Sequence, residues 1–284
     1  MDIQWHPGHM TKTKRMLEEN IKLVDAIIEI CDARMPEAGR NDLEVFNKRP
    51  RLLLLNKSDM ADAEITSQWL AYYKSINQPA ISVNAQNSKD VNRACDAVVR
   101  LISEKVQAKK EKGINMTVRA MLVGIPNSGK STFSNTAAGI ARAKTEDKPG
   151  VTRGKQWIKV GKYLELLDTP GILSPKIENE QDGLLLAYTG AIRDDILDTE
   201  TLLLKFLNDL PQIKPGALLQ RYGIAPCSDA EETLTLICRK RGWLRQGGVI
   251  DRERAARVIF DEFRGGKMGR ISLQKPQTYV GGND

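Results

Sequence analysis

Gly124-Ile125-Pro126-Asn127-Ser128-Gly129-Lys130-Ser131 decides the fold. The stretch follows an apolar run, Val118 to Val123, that reads as a strand, and it leads into a helix-favouring segment from Lys130. Its spacing fits G-x-x-x-x-G-K-[ST], and strand before, helix after is the context that motif requires. Glycines let successive backbone N–H groups wrap phosphate oxygens, and the helix N-terminus adds favourable partial charge. Lys130 then neutralises charge on the β- and γ-phosphates, and the Ser131 hydroxyl is a ligand for Mg²⁺. Asn127, Ser128, Gly129 and Thr132 complete the phosphate-binding set. The motif specifies a nucleoside triphosphate but does not choose the base.

Asn56-Lys57-Ser58-Asp59 makes that choice. It follows the short apolar run Arg51 to Leu55, which has the character of a central parallel strand. A carboxylate at the end of such a strand, Asp59, accepts two hydrogen bonds from guanine N1–H and N2–H₂, while Asn56 faces the O6/N7 edge and Lys57 lies between them. Adenine offers no matching donors, and mismatches of that kind cost discrimination on the order of 10⁴-fold. Ser82-Val83-Asn84, after the next strand, stands where a second base-contacting loop belongs, with Ser82 and Asn84 as its candidates.

Asp168-Thr169-Pro170-Gly171 follows the run Tyr163 to Leu167. Asp168 suits the Mg²⁺ shell through a water, and the Gly171 N–H suits the γ-phosphate, which places Gly171 beside Lys130 among the catalytic candidates. Thr152, in Lys148-Pro149-Gly150-Val151-Thr152, is at the right separation from Lys130 to supply Mg²⁺ with a hydroxyl. Both loops would be held by the γ-phosphate and released on hydrolysis. Where many GTPases carry a water-positioning glutamine after this motif, the chain has Ile172, which can neither donate nor accept through its side chain.

The order of these motifs is unusual. Most GTPases run from the phosphate loop through the switch threonine and Asp-x-x-Gly to Asn-Lys-x-Asp. Here residues 56–59 and 82–84 come first, then 124–131, Thr152 and 168–171. The cyclic order is intact and the chain is cut elsewhere. The fold class is therefore α/β, a P-loop GTPase fold in circular permutation, with strands alternating with helices up to about Tyr188. Helical patterns alone follow: an amphipathic Thr199 to Leu210, a capping box at Ser228-Asp229-Ala230-Glu231, and Asp251 to Arg264 stopped by Gly265-Gly266. Earlier segments read as helices at 62–76 and 88–106, an exposed charged connection at 107–113, and a strand hairpin over 156–167. These patterns divide the chain into a permuted GTPase domain, 1–180, and a small all-helical, basic domain, 181–284. The second switch then leads straight into that helical domain, so nucleotide state can bias its position.

Net charge is +7 over 284 residues, and Arg239 to Lys275 holds eleven Lys and Arg against four acids. A basic excess clustered at one end in this way is the footprint of a polyanion and puts nucleic acid ahead of a merely solvated helical surface. No apolar run approaches the ~20 residues of a spanning helix, and no apolar h-region opens the sequence. Cys31, Cys95, Cys227 and Cys238 have no metal-type spacing and read as small core residues. A cytoplasmic monomer that does not engage membranes is the expectation.

With these motifs in place, the chain resembles the circularly permuted GTPases of the YlqF type, nearly end to end. The resemblance includes Trp5-His6-Pro7-Gly8-His9-Met10, Asp32-Ala33-Arg34-Met35-Pro36 and Phe263-Arg264-Gly265-Gly266-Lys267-Met268-Gly269-Arg270. Ser82-Val83-Asn84 departs from the usual Ser-Ala pattern. The resemblance implies a bacterial GTPase that binds GTP/GDP and Mg²⁺ and acts late in assembly of the large (50S) ribosomal subunit, with the helical domain on rRNA. It points to His9 as the catalytic replacement for glutamine, ahead of His6; the alternative is a structural or RNA-contacting segment. In related GTPases an asparagine placed like Asn127 helps hold K⁺, so K⁺ joins the candidate cofactors, and a loop-stabilising Asn127 is the other reading. Two further functions stay open beside the subunit-stimulated enzyme. One is a GTP-gated RNA-binding switch with little hydrolysis; the other, a P-loop kinase or ATPase, is disfavoured by Asp59.

Overall fold

Three apolar runs from the first third of the chain become parallel neighbours: β1 (Ala26–Asp32), β2 (Arg51–Asn56) and β3 (Ala80–Ser82). A computed structural model describes residues 15–41, 43–114, 116–144, 157–172 and 179–276, with the side chains of 141–144 excepted. Strand β4 (Val118–Val123) pairs with the other edge of β1, and β6 (Leu164–Asp168) with β4, both in parallel. Among the described strands of the sheet only β5 (Trp157–Val160) is antiparallel, in the expected hairpin with β6, where Gly161 takes a φ of 64° at the turn. The sheet order is β3-β2-β1-β4-β6-β5. The strand leading to the phosphate loop and the strand leading to Asn56 thus flank β1, although about sixty residues separate them in sequence.

All seven residues of β1 are buried, as a strand covered on both faces must be. Ile28 and Ile30 face a core shared with α3 (Ser88–Leu101) and α5 (Lys130–Lys144). On the opposite face, Cys31, Leu53 and Leu55 pack with Trp69 and Tyr73 of α2 (Ala63–Ser75), and Ile27 packs with Leu17 and Ile21 of a helix, α1, over 15–21. The segment expected as one helix and then a connection breaks at Ile102 and resumes as α4 (Ser103–Glu111). None of its residues is buried, so the charged run forms a solvated helix, consistent with the helix propensity of Lys, Glu and Gln.

The remaining helices are α6 (Glu180–Tyr188), α7 (Thr199–Ile213), α8 (Ala217–Tyr222), α9 (Ala230–Arg241) and α10 (Arg252–Arg264). Helix α7 carries Pro211 in its last turn and so runs past the expected end at Leu210. The α9 cap is Asp229, whose carboxylate accepts from the Glu231 N–H, and not Ser228. Their core is built on Tyr188, Phe206, Phe260 and Phe263, with the Phe206 and Phe263 rings 4.9 Å apart. Met35 and Ile125 join this same core from the loops after β1 and β4. The helices therefore pack directly beside the phosphate loop. Cys31, Cys95 and Cys238 are buried and Cys227 partly so, all as free thiols.

Candidate guanine-nucleotide site

Strands β2, β4 and β6 bring their C-terminal ends to one edge of the sheet, where open α/β folds place ligands. Asn56 ends β2, Gly124 follows β4, and Asp168 ends β6 in register with Leu122. Gly124 and Gly129 have φ of 155° and 97°, and Asn127 sits at 57°. A Cβ on Gly129 would lie 2.1 Å from Asn56 Nδ2, so glycine there is what lets the two loops meet. Asn56 Nδ2 donates to the Ser128 carbonyl at 2.8 Å, and Asn56 Oδ1 accepts from the Ala85 N–H at 2.9 Å. One buried amide thus ties the phosphate loop and both base-side loops together, leaving a single N–H for a base edge.

Lys130 is 7% exposed, and its Nζ donates to the Ile125 carbonyl at 3.1 Å. Burial pushes its pKa down to about 8, with Asp168 acting against the shift. Phosphate oxygens beside the same ammonium would raise it again. Nucleotide binding should then take up a proton as pH rises through about 8, and affinity should be flat below that pH and fall by at most about tenfold per unit above it. Titration calorimetry at pH 8.5 in two buffers of different ionisation enthalpy checks this; identical apparent enthalpies would mean Lys130 is already fully charged.

Asp168 accepts from Ser134 Oγ at 2.9 Å, and Thr169 Oγ1 donates to the Leu122 carbonyl at 2.6 Å. A Cβ on Gly171 would lie 3.1 Å from both Lys130 Nζ and Pro126, so this glycine closes against the phosphate loop. Ile172 donates its N–H to the Gly124 carbonyl and accepts from Asn41 Nδ2 at 2.9 Å, while its side chain packs in the core with Met121, Val123 and Leu167. The position after Asp-x-x-Gly is therefore a packing position here. Ser131 and Thr132 are exposed at the start of α5. His6, His9 and Thr152 lie outside the described residues.

On the base side, Asp59 is exposed, and Lys57 has a φ of 59° with its Nζ 3.0 Å from Asp32 Oδ2. Asn84 turns its side-chain oxygen onto the Gln86 N–H and its own N–H onto Asp90, and the Ser82 carbonyl accepts from Arg93. These groups shape the loop, and Ala85 is the residue the loop brings to Asn56. A cavity of about 340 Å³ is lined by the expected Lys57, Asn127, Gly129, Lys130, Ser131 and Thr132, and also by Thr189 and Arg264 from the helical part. Asn127 Nδ2 donates to the Gly190 carbonyl. Arg264 is held by Asp194, in two hydrogen bonds, and by the Tyr188 and Ala187 carbonyls. Sequence reading assigned none of these helical residues a place at the site: Thr189 and Gly190 lie in no motif, and Arg264, like Asp32, stands in a stretch that carried only the resemblance.

The model described as "50S ribosome-binding GTPase" matches residues 119–215, starting in the strand before the phosphate loop and leaving Asn-Lys-x-Asp outside the match, as the permuted order requires. Ribosome biogenesis GTPase A of Bacillus cereus is 44% identical over 98% of this chain and 96% of its own. The chain belongs to the ribosome biogenesis GTPase A family. The family is consistent with the permuted fold, and this member is a GTPase that binds guanine nucleotide. Mitochondrial ribosome-associated GTPase 1 of Bos taurus is 29% identical over 96% of the chain and 88% of its own length. The GNP-bound structure of YlqF from T. maritima superposes with a TM-score of 0.69 at 27% identity, over 94% of this chain and 99% of that one. Among the described residues no helix is long and apolar enough to cross a membrane.

Proposed function

We propose that this GTPase is an assembly factor for the large ribosomal subunit, with residues 1–180 as its nucleotide-binding unit and 181–284 as its rRNA-contacting unit. The observation that carries the reading is that Thr189 and Arg264 of the helical part line the same cavity as the phosphate loop. Whatever holds the helices can then act on the nucleotide. The names of the relatives supply the ribosome. A cytoplasmic monomer fits this role.

In this reading Lys130 and the Gly171 N–H hold the γ-phosphate, and Asp59 reads guanine with the help of Asn56. The residues present suit Mg²⁺: Ser131 is exposed on the first turn of α5, and Asp168 ends the strand next to β4. One hydroxyl and one carboxylate, completed by phosphates and water, is a usual Mg²⁺ set. No cluster of three acidic, His or Cys side chains among the described residues offers a competing site. Mg²⁺ would neutralise charge between the β- and γ-phosphates. Thr152 is proposed as its second hydroxyl, His9 as the group that orients water, and Asn127 as a K⁺ ligand.

The basic face supports an RNA partner. Arg239, Arg254, Arg257, Lys267 and Arg270 are exposed and have no carboxylate within 4.0 Å among the described residues. Arg221, Arg241, Arg245 and Arg252, by contrast, are tied to Glu262, Asp251 and Glu231. Reversing Arg254, Arg257 and Lys267 to Glu should weaken subunit binding and lower the slope of log K against log salt by roughly two. An unchanged slope would count against this face.

The deciding experiment measures GTP hydrolysis in K⁺ and in Na⁺, with and without purified 50S subunits, for the wild type and His9→Ala. Subunits should raise the rate by about tenfold or more, and His9→Ala should remove about a hundredfold or more of the stimulated rate at unchanged GTP affinity. Equal turnover would take His9 out of the mechanism. The core position of Ile172 favours a second reading, a GTP-gated binding switch with little hydrolysis. Tight GTP-dependent binding to the subunit without stimulation would select it.

A further inference from the structure

Asp59 is exposed, so the loop that bears it must be fixed from elsewhere. On one side the loop is held by the sheet region: Asn56 by Ser128 and Ala85, Lys57 by Asp32, and the Ser58 N–H by the Val83 carbonyl. On the other side it is held by the chain that follows α10. The Met60 carbonyl accepts from the Ile271 N–H at 2.9 Å, and the Asp62 N–H donates to Ser272 Oγ at 3.1 Å. Gly266 comes so close to Met60 that a Cβ would lie 3.1 Å from its Cγ. Asp59 stands between these two sets of bonds.

Arg34 joins them. It is 1% exposed, and its guanidinium grips Asp32 at 2.9 and 2.8 Å while donating to the Phe263 carbonyl at 3.0 Å. Its own carbonyl accepts from the Leu273 and Gln274 N–H groups. Asp32 in turn holds Lys57, so one buried carboxylate is shared between the guanine loop and the arginine that anchors α10. Burial pushes the Asp32 pKa up, but Arg34 and Lys57 outweigh it and keep the carboxyl well below the usual range.

We infer that Arg34 is a positioning residue for guanine recognition, and that residues 271–274 form the second half of the scaffold that aims Asp59. The inference rests on the reading of Asp59 as the guanine-binding carboxylate. Loosening the scaffold should weaken GTP and GDP alike, since both carry the base. It should also compress the preference for GTP over ITP, whose base lacks the 2-amino group that a well-aimed carboxylate detects.

The test compares GTP, GDP and ITP affinities in the full-length protein for wild type, Arg34→Lys, Ser272→Ala and Asp59→Asn. Lysine keeps the charge but cannot reach Asp32 through two nitrogens and Phe263 at once. Arg34→Lys should weaken GTP and GDP roughly tenfold and shrink the GTP:ITP ratio; Ser272→Ala should do the same by roughly threefold. A contracted ratio supports the inference, because a merely structural loss would lower all three affinities together. If Arg34→Lys does not fold, Ser272→Ala decides alone. A ratio that Asp59→Asn changes but Ser272→Ala and any folded Arg34→Lys leave intact overturns the inference and spares the guanine reading. A ratio that Asp59→Asn leaves intact overturns both.

Discussion

Lys130→Ala is expected to cost about 3 kcal/mol or more of nucleotide binding, at least two orders of magnitude in Kd, while leaving the free protein as stable as the wild type. The two halves of that expectation have one cause. In the free protein the ammonium is buried, and its bonded partner is the Ile125 carbonyl. Burial lowers its pKa to about 8, so the charged form is held at some cost. Removing it relieves that cost, and the Ile125 carbonyl keeps the Ser128 hydroxyl as a donor at 2.9 Å. With a triphosphate present the same ammonium faces several negative oxygens in a partly desolvated pocket, and the other two cations lining it, Lys57 and Arg264, are already paired with Asp32 and Asp194. Thermal unfolding separates the effects. The wild type should gain about 2.7 kcal/mol at a nucleotide concentration of a hundred times Kd, and the variant should gain almost nothing from the same concentration. A variant that melts like the wild type yet still binds tightly would remove the 124–131 loop from the site.

The phosphate loop and Asn-Lys-x-Asp were legible because each acts over a few consecutive residues after a strand. The permuted order was legible for the same reason, since it needs only the positions of local motifs. Arg34 was not. Its meaning lies in a bond to Phe263, 229 residues away, and in a carboxylate shared with Lys57. Asn127–Gly190 and Arg264–Asp194 are of the same kind. Ile172 could be seen as unfit to orient water, but its place in the core between β4 and β6 could not. Local errors have local causes: Ser228 and Asp229 are both good caps one residue apart, and the solvated α4 has no apolar stripe to announce it. The link between nucleotide and helices, read from the sequence as a matter of chain order, also runs through side chains at the phosphate loop and the guanine loop.

Asp59→Asn should lower GTP affinity by roughly 10²- to 10⁴-fold and raise that for xanthosine triphosphate in the same protein. Guanine presents two N–H donors where the carboxylate has two acceptors. An asparagine offers one acceptor and one donor, so against guanine its N–H meets the 2-amino group. Xanthine has an oxygen there and keeps N1–H, which restores both bonds. The swap is expected to act on base choice alone, because the loop does not depend on the Asp59 carboxylate for its shape. Asn56, the Lys57–Asp32 pair, Met60 and Asp62 hold it, and Arg34 keeps Asp32 as its partner. Xanthosine triphosphate hydrolysis by the variant, with Mg²⁺ and under the conditions that support GTP hydrolysis by the wild type, would show that the chemistry at Lys130 is untouched. If GTP affinity fell without any gain for xanthosine triphosphate, Asp59 would be a loop-forming residue and the base would be read elsewhere. The Lys130 and Asp59 substitutions thus divide the nucleotide between its two ends, phosphate and base, and the bonds of Asn56 to Ser128 and Ala85 are what make one site of them.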